Sequence, residues 1–233
     1  MSSYPQIVMD KPEFHPPAEE YLQAIEYLAE EGTPVIQARL AERLGKSPPA
    51  VSEMLDRLTE DGLLSRSGRR ISLTEKGRAL GESVVRKHRL AERLLIDVIG
   101  LPWHKVHEEA GRWEHVISDE VEQKLVELLG DPATCPHGNP IPRSSNKPVD
   151  PATLVALDQV TLDAKVKLER VSEEIELETA TLLYLDDAGF IPGATARVSS
   201  KAPDGTLVVE IGDSVLALGP DVAQRLFVSV SSC

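Results

Sequence analysis

Three short runs of apolar residues at helical spacing, each closed by a glycine, open this 233-residue chain and narrow the folds open to its first third. Leu22, Ile25 and Leu28 recur on one face before Gly32. Leu40, Ala41 and Leu44 do so before Gly45, and Val51, Leu55 and Leu58 before Gly62. Ser47 followed by Pro48 has the chemistry of an N-cap and a first helical position. From Leu63 to Leu73 the pattern changes to a small hairpin with the basic tip Arg66-Ser67-Gly68-Arg69-Arg70. Helix, helix, turn, helix and basic hairpin is the order of a winged helix-turn-helix. In such a domain the third helix is expected in the major groove of double-stranded DNA. Ser47, Pro49, Ala50 and Ser52 at its start, with Arg39 and Arg57, are the candidate DNA-contacting residues, and Arg66, Arg69 and Arg70 are candidate phosphate contacts. Capping, packing and an ordinary charged surface are the competing explanations for the same residues.

The net charge of −13 argues against a protein that coats nucleic acid through charge alone. The charge is unevenly spread, however. Residues 66–93 are strongly basic, with Arg66, Arg69, Arg70, Lys76, Arg78, Arg86, Lys87, Arg89 and Arg93 facing only Glu75, Glu82 and Glu92. Residues 150–233 carry an acidic excess. A basic first half can meet phosphate while an acidic second half limits indiscriminate binding. The two cysteines, Cys135 and Cys233, are too far apart and too few for a disulfide framework, so a reducing cytoplasm is expected. The first residues lack the basic start and apolar core of a signal peptide, and no apolar run suits a membrane span.

Directly behind the DNA-binding pattern stands a set of histidines and glutamates. His88 and Glu92 are spaced i, i+4, and His107 is followed two turns later by Glu114 and His115. Each group can line one helical face. Imidazole with carboxylate suits a borderline-to-hard divalent metal, so metal control of DNA binding is expected. The bland alternative for His88 and Glu92 is a surface pair at helical spacing.

Thr74 opens a long helix that runs to about Gly100, where Leu101-Pro102 breaks it. A second helix should end near Trp113–Val116 and a third should span Ser118 to Leu129. Leu90, Leu94, Leu95, Val98 and Ile99 are more apolar than one short domain needs, which points to a dimer. Residues 130–152, rich in Pro, Gly, Ser and Asn, read as a linker, and Cys135 with His137 is taken as part of that loop rather than as a metal site. A helical patch at Ala180–Gly189 follows, then short strands at Ala194–Ser199, Leu207–Ile211 and Val215–Leu218, which suggest a small SH3-like barrel. Glu178 lies in an acidic patch with Glu173, Glu174 and Glu176, for which a charged surface is the competing explanation.

The string from Val85 to Leu95 (VRKHRLAERLL), the string from Arg112 to Glu122 (RWEHVISDEVE) and the segment Gly138 to Pro142 (GNPIP) together resemble the diphtheria-toxin-repressor and iron-dependent-regulator family. The resemblance is strong over residues 18–142 and extends more weakly to the end. It implies a homodimeric, metal-dependent transcriptional repressor that senses Mn(II) or Fe(II), binds palindromic operators and controls metal-homeostasis genes. It also implies two metal sites per subunit. One carries over onto His88, Glu92, His107 and Glu178, with Thr181 where the family often has Gln. The other carries over onto Glu114 and His115, with Glu20 at a Met position and Gly111 at a Cys position. Loss of both sulfur ligands and gain of a carboxylate favours Mn(II), with Fe(II) close behind.

The expected fold class is α+β: an N-terminal winged helix-turn-helix, an all-α dimerisation domain and a C-terminal SH3-like β-barrel. The expected division is a tail at 1–17, the DNA-binding domain at 18–74, a helical metal-binding and dimerisation domain at 75–130, a linker at 131–152 and an SH3-like (FeoA-like) domain at 153–233. No enzymatic motif is evident. The rival is a metal-independent winged-helix regulator that responds to another ligand or to a partner protein.

Overall fold

The computed structural model describes residues 16–230, which form two compact units dividing between Gly81 and Glu82. The tail up to residue 15, with His15, and Cys233 lie outside the described residues.

The first unit holds α1 (Pro16–Glu30), α2 (Gln37–Leu44), α3 (Pro48–Glu60) and the hairpin β1 (Leu64–Ser67) and β2 (Arg70–Leu73). Most of the residues that set the helical periodicity are buried: Leu22, Ile25, Leu28, Leu40, Val51, Leu55 and Leu58 form one core with Leu63 and Ile71, and Ala41 and Leu44 pack against it partly buried. Each such side chain contributes about 1.5–3 kcal/mol when removed from water. Ser47 caps α3, its Oγ accepting from the Ala50 N–H at 3.4 Å. The hairpin pairs Leu64 with Leu73 and Ser67 with Arg70, so its loop is the pair Gly68-Arg69. Helix α4 (Glu75–Leu94) starts against this unit. Thr74 Oγ1 accepts from the Gly77 N–H, and a Cβ on Gly77 would stand 2.0 Å from the Leu63 carbonyl oxygen, so only glycine lets the helix approach so closely.

In the second unit, α4 continues to Leu94 and passes into a single π-helical turn, Leu95–Ile99, closed by Gly100. A 3₁₀ turn (Trp103–Lys105), α5 (Val106–Trp113) and α6 (Asp119–Leu129) follow, with Ser118 as the N-cap of α6. The β part contains β3 (Val155–Ala156), β4 (Lys165–Val171), α7 (Glu173–Glu176), α8 (Thr179–Asp187), β5 (Thr195–Lys201), β6 (Leu207–Ile211), β7 (Ser214–Leu218), α9 (Pro220–Ala223) and β8 (Leu226–Val230). Its strands form one antiparallel sheet in the order β3-β8-β4-β5-β6-β7. Sequence periodicity missed β3, because two residues carry no period, and missed β8, where Leu226 and Val228 alternate inward beside the half-buried Phe227.

The segment read as a linker is not a solvated spacer. Cys135, His137, Asn139 and Ile141 are buried in it. The Val171 N–H donates to the His137 carbonyl at 2.9 Å, and Asn139 Nδ2 donates to the Val171 carbonyl at 3.1 Å. Trp103 Nε1 donates to the Pro136 carbonyl at 3.0 Å and Arg93 Nε to that of Thr134 at 2.7 Å. At Gly138, φ is +90° and a Cβ would stand 1.9 Å from the Glu169 carbonyl oxygen. Gly138 thus serves close backbone approach to β4. Among the described residues no helix is long and apolar enough to cross a membrane.

Candidate metal centre

Helix α4 projects His88 and Glu92 from adjacent turns into the interior of the second unit. Helix α5 supplies His107 from its first turn and the glutamate that follows its last turn, Glu114. The inserted segment supplies His137 and Cys135, and α7 supplies Glu173 and Glu176, which Ser172 fixes by capping that short helix.

Three donor atoms form a nearly equilateral triangle. His88 Nε2 lies 3.2 Å from Glu92 Oε1 and 3.1 Å from His107 Nδ1, and His107 Nδ1 lies 3.1 Å from Glu92 Oε1. An octahedral cation with ligands at roughly 2.1 Å keeps adjacent ligand atoms about 3 Å apart. The other nitrogen of His88 is engaged: Nδ1 meets Glu114 Oε2 at 2.6 Å, which orients the ring and leaves Nε2 facing the triangle. Glu114 Oε1 in turn lies 3.2 Å from His115 Nε2.

Two further groups overlap this one. Glu92, Cys135 and His137 bring donor atoms within 4.8 Å of one another, as do His107, Glu173 and Glu176. His137 Nδ1 lies 3.3 Å from Glu92 Oε1 and 3.1 Å from Glu176 Oε2, yet neither contact is aligned as a hydrogen bond. Both ring nitrogens of His137 and Glu92 Oε2 are buried without an aligned hydrogen-bond partner, while Glu176 Oε2 lies 2.8 Å from His107 Nδ1. Buried polar atoms left open in this way, convergent and of metal-ligand type, fit a divalent cation.

The electrostatics express the same crowding. Burial pulls the His88 imidazole down, but Glu92 and Glu114 outweigh it and hold it well above its usual value. Burial likewise opposes the rise of His107, which Glu176 and Glu92 lift to about 9. His137 is held well above its usual value against burial by Glu176 and Glu92. Burial pushes Glu92 upward, yet His137 and His88 hold it well below the carboxylate range. Glu176 is held at about 2 against burial by His137 and His107, while burial and the Glu176 charge lift Glu173 to about 7 despite Arg89. Burial, Glu92 and Glu176 push the Cys135 thiol up to about 12. Protons on the imidazoles balance this cavity without a cation; a divalent cation would displace them and draw off the thiol proton.

Of the residues singled out in the sequence, the structure brings together His88, Glu92, His107 and Glu114, with His115 beside Glu114. Glu178 stands elsewhere: its carboxylate takes the Thr181 hydroxyl at 2.8 Å and lies 3.7 Å from Arg225. The turn between α7 and α8 directs Glu176, two residues earlier, into the cluster instead. Glu173 and Glu176 are buried, contrary to their reading as a charged surface, and Cys135 and His137 are not an idle loop. The Cys-Pro-His spacing was the one sequence signal that could have found them. Glu20 lies half-buried on α1 in the first unit, and no donor group found among the described residues contains it. Gly111 is exposed on α5 and Thr181 is half-buried on α8. In the first unit, Arg39, Ser47, Pro49, Ala50 and Arg57 are exposed around α2 and α3, and Ser52 is half-buried. Arg69 and Arg70 are exposed on the hairpin, whereas Arg66 pairs with Asp56 at 2.9 Å.

Residues 13–70 match the family of the iron dependent repressor N-terminal DNA binding domain. Residues 74–143 match that of the iron dependent repressor metal binding and dimerisation domain, and residues 155–230 match the FeoA domain. The chain is 43% identical over 217 residues to the iron-dependent repressor IdeR of Mycobacterium tuberculosis, covering 89% of this chain and 94% of that protein. It is 40% identical over 215 residues to the diphtheria toxin repressor of Corynebacterium diphtheriae, with the same coverage of 89% and 94%. A solved structure described as a manganese-dependent transcriptional repressor in complex with manganese superposes with a TM-score of 0.81 at 30% identity, over 92% of this chain and 100% of that one.

Proposed function

This chain belongs to the iron-dependent repressor family, and we propose that it is a metal-dependent, DNA-binding transcriptional repressor that senses Mn(II) or Fe(II) and controls metal-homeostasis genes. The observation that carries the metal half of this reading is the triangle of His88 Nε2, Glu92 Oε1 and His107 Nδ1, with Glu114 fixing the tautomer of His88. The DNA half rests on the exposed start of α3 with its basic hairpin and on the matched DNA-binding domain.

We assign the first metal position to His88, Glu92 and His107, with Glu173 and Glu176 at its border. Cys135 and His137 share Glu92 with that position and make a second, softer set. Glu114 and His115 remain proposed ligands beside it, and Glu20 stays in the ligand set on the family resemblance alone, which Glu20→Ala tests. The ion supplies positive charge and fixed ligand directions. The protein supplies two helices, one inserted segment and α7 converging on one place, so ligation ties these elements together. Such an ion biases DNA binding only by its differential affinity for the competent arrangement, typically by about 1–3 kcal/mol. Nothing in this set points to turnover of a substrate.

The partners are double-stranded operator DNA and a second copy of the chain. Leu90 and Leu95 pack inside their own subunit, but Val98, Ile99, Val116 and Leu128 are exposed on the helical part and suit a dimer contact. Fluorescence anisotropy of an operator fragment at fixed salt, with chelated protein and with added Mn(II) or anaerobic Fe(II), tests the proposal. Tight binding only with metal supports it; equal binding by chelated protein overturns it in favour of a metal-independent regulator.

A further inference from the structure

A cavity of about 410 Å³ lies where the inserted segment passes between α4 and the β sheet. Its volume is within the range of sites for small organic ligands. Ile96, Trp103, Val149 and Ile191 give it apolar walls. Its charged lining is Arg93, Glu169 and Arg170, with Thr134 and Cys135 as further polar residues.

Two of these three groups are already satisfied. Arg93 donates to the carbonyls of Thr134 and Cys135 and lies 3.6 Å from Asp97. Glu169 accepts from the Ser229 hydroxyl at 2.8 Å and from Lys167 at 3.3 Å. Arg170 is different. It is only 8% exposed, its Nε has no hydrogen-bond acceptor, and no carboxylate among the described residues stands within ion-pair distance of it. Its guanidinium carbon stacks 4.3 Å from the centroid of the Phe227 ring, which holds the group flat and in place. Buried guanidinium groups are almost always paired with an anion, and stacking on a phenyl ring replaces only part of that compensation.

We propose that this cavity binds a small organic carboxylate with an apolar body. The carboxylate would take the donor fork of Arg170 as a charge-assisted pair, and the body would lie against Ile96, Trp103 and Ile191. The proposed contacts use no donor atom of the triangle of His88, Glu92 and His107, although Cys135 of the second set also lines the cavity. Lys167 already neutralises Glu169, which leaves Arg170 as the excess charge in the lining.

The test uses the Mn(II)-loaded full chain and cyclohexanecarboxylate as probe, read by calorimetry and by the fluorescence of Trp103 in the cavity wall. Saturable binding is expected. It should be at least about tenfold weaker in Arg170→Gln, in line with loss of one charge-assisted pair. Neutral cyclohexylmethanol should bind at least as weakly as the probe binds that variant. Ile191→Trp, which fills the cavity and leaves Arg170 in place, should abolish binding and keeps the test open if Arg170→Gln does not fold. Absence of saturable binding, or equal binding by Arg170→Gln or by Ile191→Trp, overturns the proposal. Inorganic phosphate binding as tightly as the probe also overturns it, because the apolar walls would then play no part.

Discussion

Arg89 of α4 and Glu173 of α7 form an ion pair of 2.6 Å, Nη2 to Oε1, with side chains only 1% and 2% exposed. The same guanidinium donates to the Pro140 carbonyl of the inserted segment. One buried cation thus fastens the helical part, the inserted segment and the β part together. Removing one member leaves an uncompensated buried charge. Arg89→Met is expected to cost about 3–5 kcal/mol in chemical denaturation, and the double variant Arg89→Met with Glu173→Gln distinctly less. Equal losses in the single and double variants would mean that the pair does not hold these parts together.

Gly138 is the second fastening. Its backbone is left-handed and its absent Cβ makes room for the Glu169 carbonyl. Gly138→Ala should destabilise the protein by roughly 2–5 kcal/mol, combining backbone strain with overpacking. A change in melting temperature indistinguishable from zero would show that the segment does not pack on β4 in solution.

Glu92 belongs to two donor groups, whereas the Glu178 carboxylate meets Thr181 and Arg225 and belongs to no donor group found among the described residues. Glu92→Gln should weaken Mn(II) binding by more than about 100-fold, beyond what loss of a supporting contact does. Glu178→Gln should leave affinity within about threefold of the parent, since it touches no donor. Calorimetric titration of both variants decides between the cluster described above and the assignment that the family resemblance implied.

The second donor set contains a thiol, so Co(II) bound there should show a thiolate-to-metal charge-transfer absorption in the near ultraviolet. The band is expected in the parent protein and absent in Cys135→Ser. A parent spectrum without it would confine cobalt to nitrogen and oxygen ligands.

Burial pulls the His107 imidazole down, but Glu176 and Glu92 lift it to about 9, against about 6.5 in an unfolded chain. Its proton therefore stabilises the metal-free fold fully below about pH 6.5, and this contribution is lost as pH rises through 9. A metal needs the unprotonated ring. Apparent metal affinity should rise with pH between about 6.5 and 9, with proton release on binding. Calorimetry in buffers of different ionisation heat measures that release, and a buffer-independent heat would contradict it.

Much of this was legible in the sequence because it is local. Leu22, Ile25, Leu55 and Leu58 announce helices by their spacing, and Ser47-Pro48 announces a helix start. His88 and Glu92 announce a shared face through the 3.6-residue period alone. The end of α4 was legible only in outline, since the π turn at Leu95–Ile99 leaves the apolar pattern intact. Strand β3 was illegible because two residues carry no period.

The sequence by itself therefore determined the helices, the DNA-reading order and the half of the donor set that lies on α4 and α5. Tertiary structure decided the rest. It brought His137 and Cys135 to Glu92 and Glu173 and Glu176 to His107, and turned Glu178 away, from segments separated by dozens of residues. Periodicity can report only which residues of one element share a face. Whether a carboxylate is a solvated charge or a buried ligand depends on what the fold packs against it, as the pairing of Arg89 with Glu173 decides here.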